Sequence, residues 1–341
     1  MTRDDIREPG RPQGPAPDMA SDGTPNPMAT LAIENIAKRY RRDGEPALNG
    51  VSLKLTPAIY GLLGRNGAGK STLLGLIANR LVPTDGAITL DGEDVRDNEC
   101  AQSRIYLVNE TLPFMMGVRI TTILKREERY YGGLDWAFAT RMLAEFGIMP
   151  GVAYGGLSLG QRQIVRLVAA LAVPVDVLLL DEPVIGLDAA NRELFYRFLL
   201  ESFADRPRII VISTHIIDEI AQIIERAIIL DRGRIVDEFA AESVGSRATV
   251  LVGDAAVVDP YVTGAGLQVI ADERMGRIAT VTVRGRVDAA SLPEGVIASG
   301  LGLQDYFIRA TSATADKGSR GDGRNAADTT DTGESGGGRH E

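Results

Sequence analysis

Gly64-Arg65-Asn66-Gly67-Ala68-Gly69-Lys70-Ser71 fits G-x-x-x-x-G-K-[ST], the pattern of a phosphate-binding loop, and its two flanks turn the match into a mechanism. Upstream, the apolar run Ile59 to Leu63 reads as a short buried strand. Downstream, Ser71-Thr72-Leu73-Leu74-Gly75-Leu76-Ile77-Ala78 carries leucine and isoleucine at helical spacing. In a strand–loop–helix the glycines let the backbone bend until its N–H groups point into a triphosphate. The helix N-terminus adds partial positive charge where the anion sits. Lys70 then reaches the outer phosphates, and the Ser71 hydroxyl takes a position on Mg²⁺. A Gly-rich turn that only caps a helix needs neither the lysine nor the hydroxyl. The stretch therefore predicts nucleotide binding.

Composition narrows the setting. A length of 341 residues suggests two or three domains, and an apolar content of 44% is ample for a sizeable core. No run reaches the roughly 18 uncharged apolar residues of a membrane helix. The nearest, Val165 to Leu180, is interrupted by Arg166, Pro174 and Asp176. The N-terminus lacks the apolar stretch of a secretion signal. A lone cysteine, Cys100, points to a reducing cytoplasm. A net charge of −9 argues against a nucleic-acid partner. The expectation is a cytoplasmic protein that serves a membrane, if at all, through a partner.

Residues 1–28 and 311–341 are rich in Pro, Gly, Ser and charge and are expected to be disordered. Between them, strands are expected at Ile59 to Leu63, Ala87 to Leu90, Ile105 to Val108, Val177 to Leu180, Ile209 to Ser213 and Ala227 to Leu230. Several lack polar alternation and are flanked by helices, as in a largely parallel sheet covered on both faces. A helical insertion fits 111–173, with helices opening at Ile120 and running from Ala137 to Phe146 and from Gln161 to Ala172. The nucleotide-binding core is expected over 29–237. After it, a small accessory domain is expected over 238–310, in which Thr249 to Val252, Leu267 to Ile270 and Ile278 to Val283 suggest a β-α-β-β-α-β unit over roughly 245–300. That region offers no metal cluster, catalytic pair or basic stripe.

Further signals follow the loop. Val177-Leu178-Leu179-Leu180-Asp181-Glu182-Pro183 is an apolar strand ending in carboxylates, with Asp181 on the metal side and Glu182 placed to polarise a water as general base. Ser158, in Leu157-Ser158-Leu159-Gly160-Gln161, suits a helix N-cap, and a free helix end is also an anion site. His215 stands just past the strand ending Val211-Ile212-Ser213, and Gly186-Leu187-Asp188 alone is only a turn.

Together these residues resemble the ATP-binding subunit of ABC transporters, of the exporter-like type, from about Leu31 to Val236. Tyr40 looks like the adenine-stacking aromatic and the loop through Thr72 like Walker A. Leu157-Ser158-Leu159-Gly160-Gln161 is similar to the LSGGQ signature, and Leu178 to Pro183 to Walker B. Gly186-Leu187-Asp188-Ala189 resembles the D-loop, and Ser213-Thr214-His215 the switch histidine. The resemblance implies an α/β P-loop NTPase of RecA-like type, hydrolysing ATP with Mg²⁺. It further implies a head-to-tail dimer with a second ABC ATPase subunit, in which Walker A of one faces Ser158 and Gly160 of the other. His215 would contact the γ-phosphate. An integral-membrane permease would meet the helical insertion, bringing the protein to the cytoplasmic face of the cell membrane.

Two positions depart from the family pattern. Leu159 stands at the second signature glycine, and Asn109 where the Q-loop has Gln, with the same amide chemistry about 1.5 Å shorter in reach. The Leu303-Gln304-Asp305-Tyr306-Phe307-Ile308 ending is similar to the terminal helix of exporter-type subunits. The alternatives are a soluble ABC-type ATPase acting on ribosomes or DNA, and a regulatory ATP-binding module. One cassette, no heptad run and one cysteine count against the first; Glu182 and His215 count against the second.

Overall fold

The computed structural model describes residues 25–41, 43–109 and 114–319. The expected disorder of 1–24 and 320–341 lies outside them. The chain divides after Val244 into two units.

Along the first unit run β1 (Leu31–Lys38), β2 (Leu48–Leu55), β3 (Ala58–Leu63), α1 (Lys70–Ile77), β4 (Asp85–Leu90), β5 (Glu93–Asp94), α2 (Glu99–Ser103) and β6 (Ile105–Val108). Then come α3 (Ile120–Tyr131), α4 (Trp136–Glu145), α5 (Leu159–Ala172), β7 (Val177–Asp181), α6 (Ala189–Asp205), β8 (Ile209–Thr214), α7 (Ile217–Ile220), β9 (Arg226–Asp231) and β10 (Arg234–Ala240). The main sheet has the order β10-β9-β3-β8-β7-β6, parallel except for β10 at its edge. Every residue of β3 and β8 is buried, so these central strands read as unbroken apolar runs without alternation. Five of the six expected strands lie in this sheet. The sixth, Ala87 to Leu90, falls in β4, which pairs antiparallel with β1 in a separate sheet of order β2-β1-β4-β5. The two sheets close around α1, whose Leu73, Leu74 and Ile77 pack with Leu31, Ile33 and Val51 on one side and Leu179 and Val211 on the other.

The insertion contains α3, α4 and the start of α5. Its ends are stitched together: Tyr154 N–H donates to Val118 O (2.9 Å), Gly155 N–H to Met116 O (2.7 Å) and Ile120 N–H to Val152 O (3.1 Å). The far end of α5 is clamped by two arginines. Arg208, fully buried, donates to Val173 O (2.8 Å), Leu171 O (3.1 Å) and Ser202 Oγ (2.9 Å), and Arg206 also reaches Leu171 O (3.1 Å). Cations there complement the helix dipole. Burial, then the charge of Arg206, pushes the Arg208 guanidinium down to about 9.

α8 (Val244–Arg247) spans the division, and β10 through Ala240 belongs to the first unit. The second unit has β11 (Ala248–Asp254), α9 (Ala255–Gly264), β12 (Val269–Met275), β13 (Ile278–Arg284), β14 (Ile297–Gly300) and α10 (Leu303–Ser319). Its antiparallel sheet has the order β12-β13-β11-β14. α9 lays Val258 and Val262 over Leu251, Ala279, Val281 and Val283. On the alternate face, Arg309 of α10 donates to Thr282. The second helix of the expected β-α-β-β-α-β unit is only a 3₁₀ turn, Ala289–Ser291. α10 runs past residue 310, where the sequence suggested a tail.

Candidate functional site

Because β3, β8, β7 and β6 are parallel and in register, their C-terminal ends present four loops side by side. Leu63 pairs with Thr214, Asp181 with Ser213 and Val108 with Leu180. This sets Gly64, His215, Asp181-Glu182 and Asn109 along one edge, the edge where open α/β sheets bind ligands.

The phosphate-binding loop leaves β3 and enters α1 at Lys70. Gly69, at φ +109°, is the N-cap and supplies no side-chain acceptor, so the first N–H groups of α1 stay available to an anion. A Cβ on Gly69 would stand 2.6 Å from Ala47 O, so only glycine fits. The face above Gly67 is open. Lys70 is 7% exposed, with Nζ donating to Gly64 O at 2.6 Å. Burial pulls its ammonium below the usual lysine range, opposed by the charges of Glu182 and Asp181. Tyr40, exposed, joins the loop through a 3.1 Å hydrogen bond between its hydroxyl and Thr72 Oγ1. The Lys38 ammonium lies 5.4 Å from the ring centroid.

Across the edge, Ser213 Oγ donates to Asp181 Oδ1 at 2.9 Å. Glu182 adopts a left-handed φ of +50°, held by its N–H to Ser213 O (2.9 Å), and its Oε2 lies 3.0 Å from His215 Nδ1. Such a conformation is unfavourable for a glutamate, and it aims the carboxylate off the strand end. Asn109 O accepts from Arg166 at 2.9 Å, while Asn109 Oδ1 is buried with no protein partner among the described residues.

The oxygen set fits Mg²⁺. Among the described residues no cluster of three His, Cys, Asp or Glu forms a metal cage. Asp181, the Ser71 hydroxyl and the orphaned Asn109 Oδ1 instead offer the few hard oxygens Mg²⁺ takes when phosphate and water complete its shell.

Ser158, Gly160 and Asp188 make other contacts. Ser158 and Gln161 form a reciprocal capping box on α5 at 3.1 and 3.2 Å. Asp188 caps α6 through Asn191 N–H at 2.8 Å. A Cβ on Gly160 would meet Gly186 O at 2.8 Å, so signature turn and D-loop turn touch backbone to backbone. Leu159 is 78% exposed and points outward. Within one chain these residues thus form a capped, accessible helix end.

Beside Asn109 a cavity of about 450 Å³ is lined by Tyr106, Phe114, Arg126, Glu127, Tyr131 and Arg166 among others. Burial pushes the Glu127 carboxyl up, while a hydrogen bond from the Tyr106 hydroxyl opposes the shift. Met115 and Met116 are exposed rather than part of a helical core.

A buried lysine at a phosphate loop, a strand-end carboxylate pair and an in-register histidine define a P-loop nucleotide-binding cassette. The family described as ABC transporter matches residues 48–185. The chain is 33% identical over 237 residues to a putative ribose/galactose/methyl galactoside import ATP-binding protein of Burkholderia cenocepacia, covering 65% of this chain and 46% of the relative. It is 30% identical over 225 residues to the methionine import ATP-binding protein MetN of Caulobacter vibrioides, covering 63% of this chain and 68% of the relative. A solved structure of the ATP-binding subunit of an ABC transporter superposes with a TM-score of 0.57 at 25% identity, covering 63% of this chain and 91% of that one. The chain spans about half the length of the first relative. It belongs to the ABC transporter family, among the ATP-binding subunits. Both relatives carry import in their names, so the exporter-like expectation finds no support in them.

Proposed function

We propose that this chain is the ATP-hydrolysing subunit of an ABC transporter. It drives a separate integral-membrane permease from the cytoplasmic face and works as a dimer with a second ABC ATPase subunit. The pairing of Glu182 Oε2 with His215 Nδ1 at 3.0 Å, on the edge that holds Lys70, is the observation that carries the activity. A module that only bound ATP would need neither group. Lys70 and the α1 N-terminus hold the β- and γ-phosphates, and Tyr40 takes the adenine. Ser71, Asp181 and Asn109 would hold Mg²⁺, which when bound neutralises phosphate charge. Glu182 accepts a proton from the attacking water, and His215 fixes its carboxylate and reaches the γ-phosphate. The capped α5 end, with Ser158 and Gly160, is free to meet the partner subunit's nucleotide.

The names of the relatives favour import. No helix among the described residues is long and apolar enough to cross a membrane, which agrees with a separate permease. The exposed Met115 and Met116, between the Q-loop position and α3, suit a permease contact. Phosphate release from Mg·ATP by the purified chain tests the activity; a chain that binds ATP without turnover would remove it. Met116→Asp is expected to keep basal phosphate release and to lose a membrane protein that co-purifies with wild type from detergent extracts. Retention of that protein would move the contact elsewhere.

A further inference from the structure

Two residues of α5 one turn apart give side-chain donors to backbone carbonyls of other loops. Gln163 Nε2 donates to Pro183 O at 2.8 Å, directly after Glu182. Arg166 Nη1 donates to Asn109 O at 2.9 Å, directly after β6. At i and i+3 the two side chains share one face of the helix. Arg166 also lines both the cavity beside Asn109 and a second cavity, of about 290 Å³, bordered by Glu182, Ile185 and Gly186. Among the described residues it is the one side chain common to the two. The helix that carries both links is capped at its start by the Ser158–Gln161 box and held at its far end by Arg206 and Arg208 on Leu171 O and Val173 O.

We propose that Arg166 is a positioning residue that ties the Asn109 backbone to the Glu182 turn through α5 and Gln163. A displacement of the loop at Asn109 is thereby passed to the carboxylate beside His215. The tether grips the main chain, so it does not depend on the length of the residue 109 side chain and leaves the buried Asn109 Oδ1 without a protein partner among the described residues. A guanidinium–carbonyl hydrogen bond is charge-assisted and directional, which suits a link that must transmit movement. Arg166 lies outside the motifs quoted above for the family resemblance. The proposed tether rests on the ATPase reading above.

The test compares wild type with Arg166→Met, Arg166→Lys, Gln163→Leu and the Arg166→Met/Gln163→Leu double variant. Arg166→Met is expected to bind ATP within about twofold of wild type while kcat falls about tenfold, a transition-state loss of 1.4 kcal/mol. Arg166→Lys, whose ammonium still donates to a carbonyl, recovers most of that loss. Because both links lie on one path, the double variant is no worse than the poorer single variant. A wild-type kcat in Arg166→Met, no rescue by lysine, or losses that multiply would each overturn the tether.

Amide hydrogen exchange of the full chain with and without Mg·ATP provides a readout that needs no turnover. ATP is expected to protect residues 105–109 in wild type but not in Arg166→Met; equal protection in both refutes the proposal. If Arg166→Met does not fold, Gln163→Leu must show the same loss of linked protection. A wild type that protects 105–109 yet releases no phosphate would sink the ATPase reading and leave the exchange comparison to judge the tether.

Discussion

Replacing Glu182 by glutamine changes one atom's chemistry and almost nothing else. The amide is isosteric, its oxygen can accept from the imidazole at the same 3.0 Å, and the left-handed backbone at φ +50° is equally unfavourable for either residue. Asp181 keeps its Ser213 hydrogen bond, and Lys70 its contact with Gly64 O. Proton acceptance from water is lost, and loss of a positioned general base costs about 10²–10⁴ in rate. By the transition-state relation that is about 3–5 kcal/mol. The variant also loses a negative charge that supports the Lys70 ammonium and repels a triphosphate. These two effects oppose each other, so ATP affinity should move by less than about fivefold. The assay is phosphate release at saturating Mg·ATP, beside fluorescent-nucleotide titration and size-exclusion chromatography with ATP. Turnover should collapse while an ATP-dependent dimer accumulates. A kcat within threefold of wild type, or a loss that simply tracks lost binding, would refute Glu182 as the base.

Lys70→Ala should lose both nucleotide affinity and hydrolysis, since it deletes a buried cation at the phosphate loop; tight binding of fluorescent ATP to the variant would contradict this. Asn109→Gln carries its amide about 1.5 Å further and should keep phosphate release within about threefold of wild type. Loss of folding would instead mark Asn109 as a packing residue. Arg208→Met should lower stability by about 3 kcal/mol, because Val173 O and Ser202 Oγ lose their donor inside the protein. For a unit of this size that is a Tm drop of about 6–12 °C, readable by calorimetry. An unchanged Tm would mean that the clamp on α5 contributes nothing net.

Local motifs made the site legible in advance, because each packs its chemistry into neighbouring residues: loop, lysine and hydroxyl in one run, the two carboxylates in another. The parallel strands were legible for the same reason, as their two-sided burial leaves unbroken apolar runs. The antiparallel sheet of the first unit was legible only at β4. In β1 the register shifts between Ile33 and Ile36 around Asn35 at φ +49°, and this bulge destroys the two-residue alternation that would mark a half-buried strand. The end of β12 was hidden by Asp272, Glu273 and Arg274, charges suited to an edge strand. Arg166 and Arg208 were invisible because the backbone carbonyls they grip, Asn109 O, Leu171 O and Val173 O, leave no trace in side-chain identity.

The close approach of Gly160 to Gly186 O changes how mutagenesis of this chain has to be interpreted. At a signature glycine, lost activity is ordinarily taken as a lost phosphate contact. Here an alanine would wedge two turns of the same subunit apart before any nucleotide or second subunit arrives. Gly160→Ala should therefore already lower the melting temperature of the nucleotide-free protein, whereas a change at the outward-pointing Leu159 should not. In a scan scored on growth or transport the two neighbours would look alike. A thermal shift on the apo protein separates a fold requirement at 160 from a partner-facing position at 159.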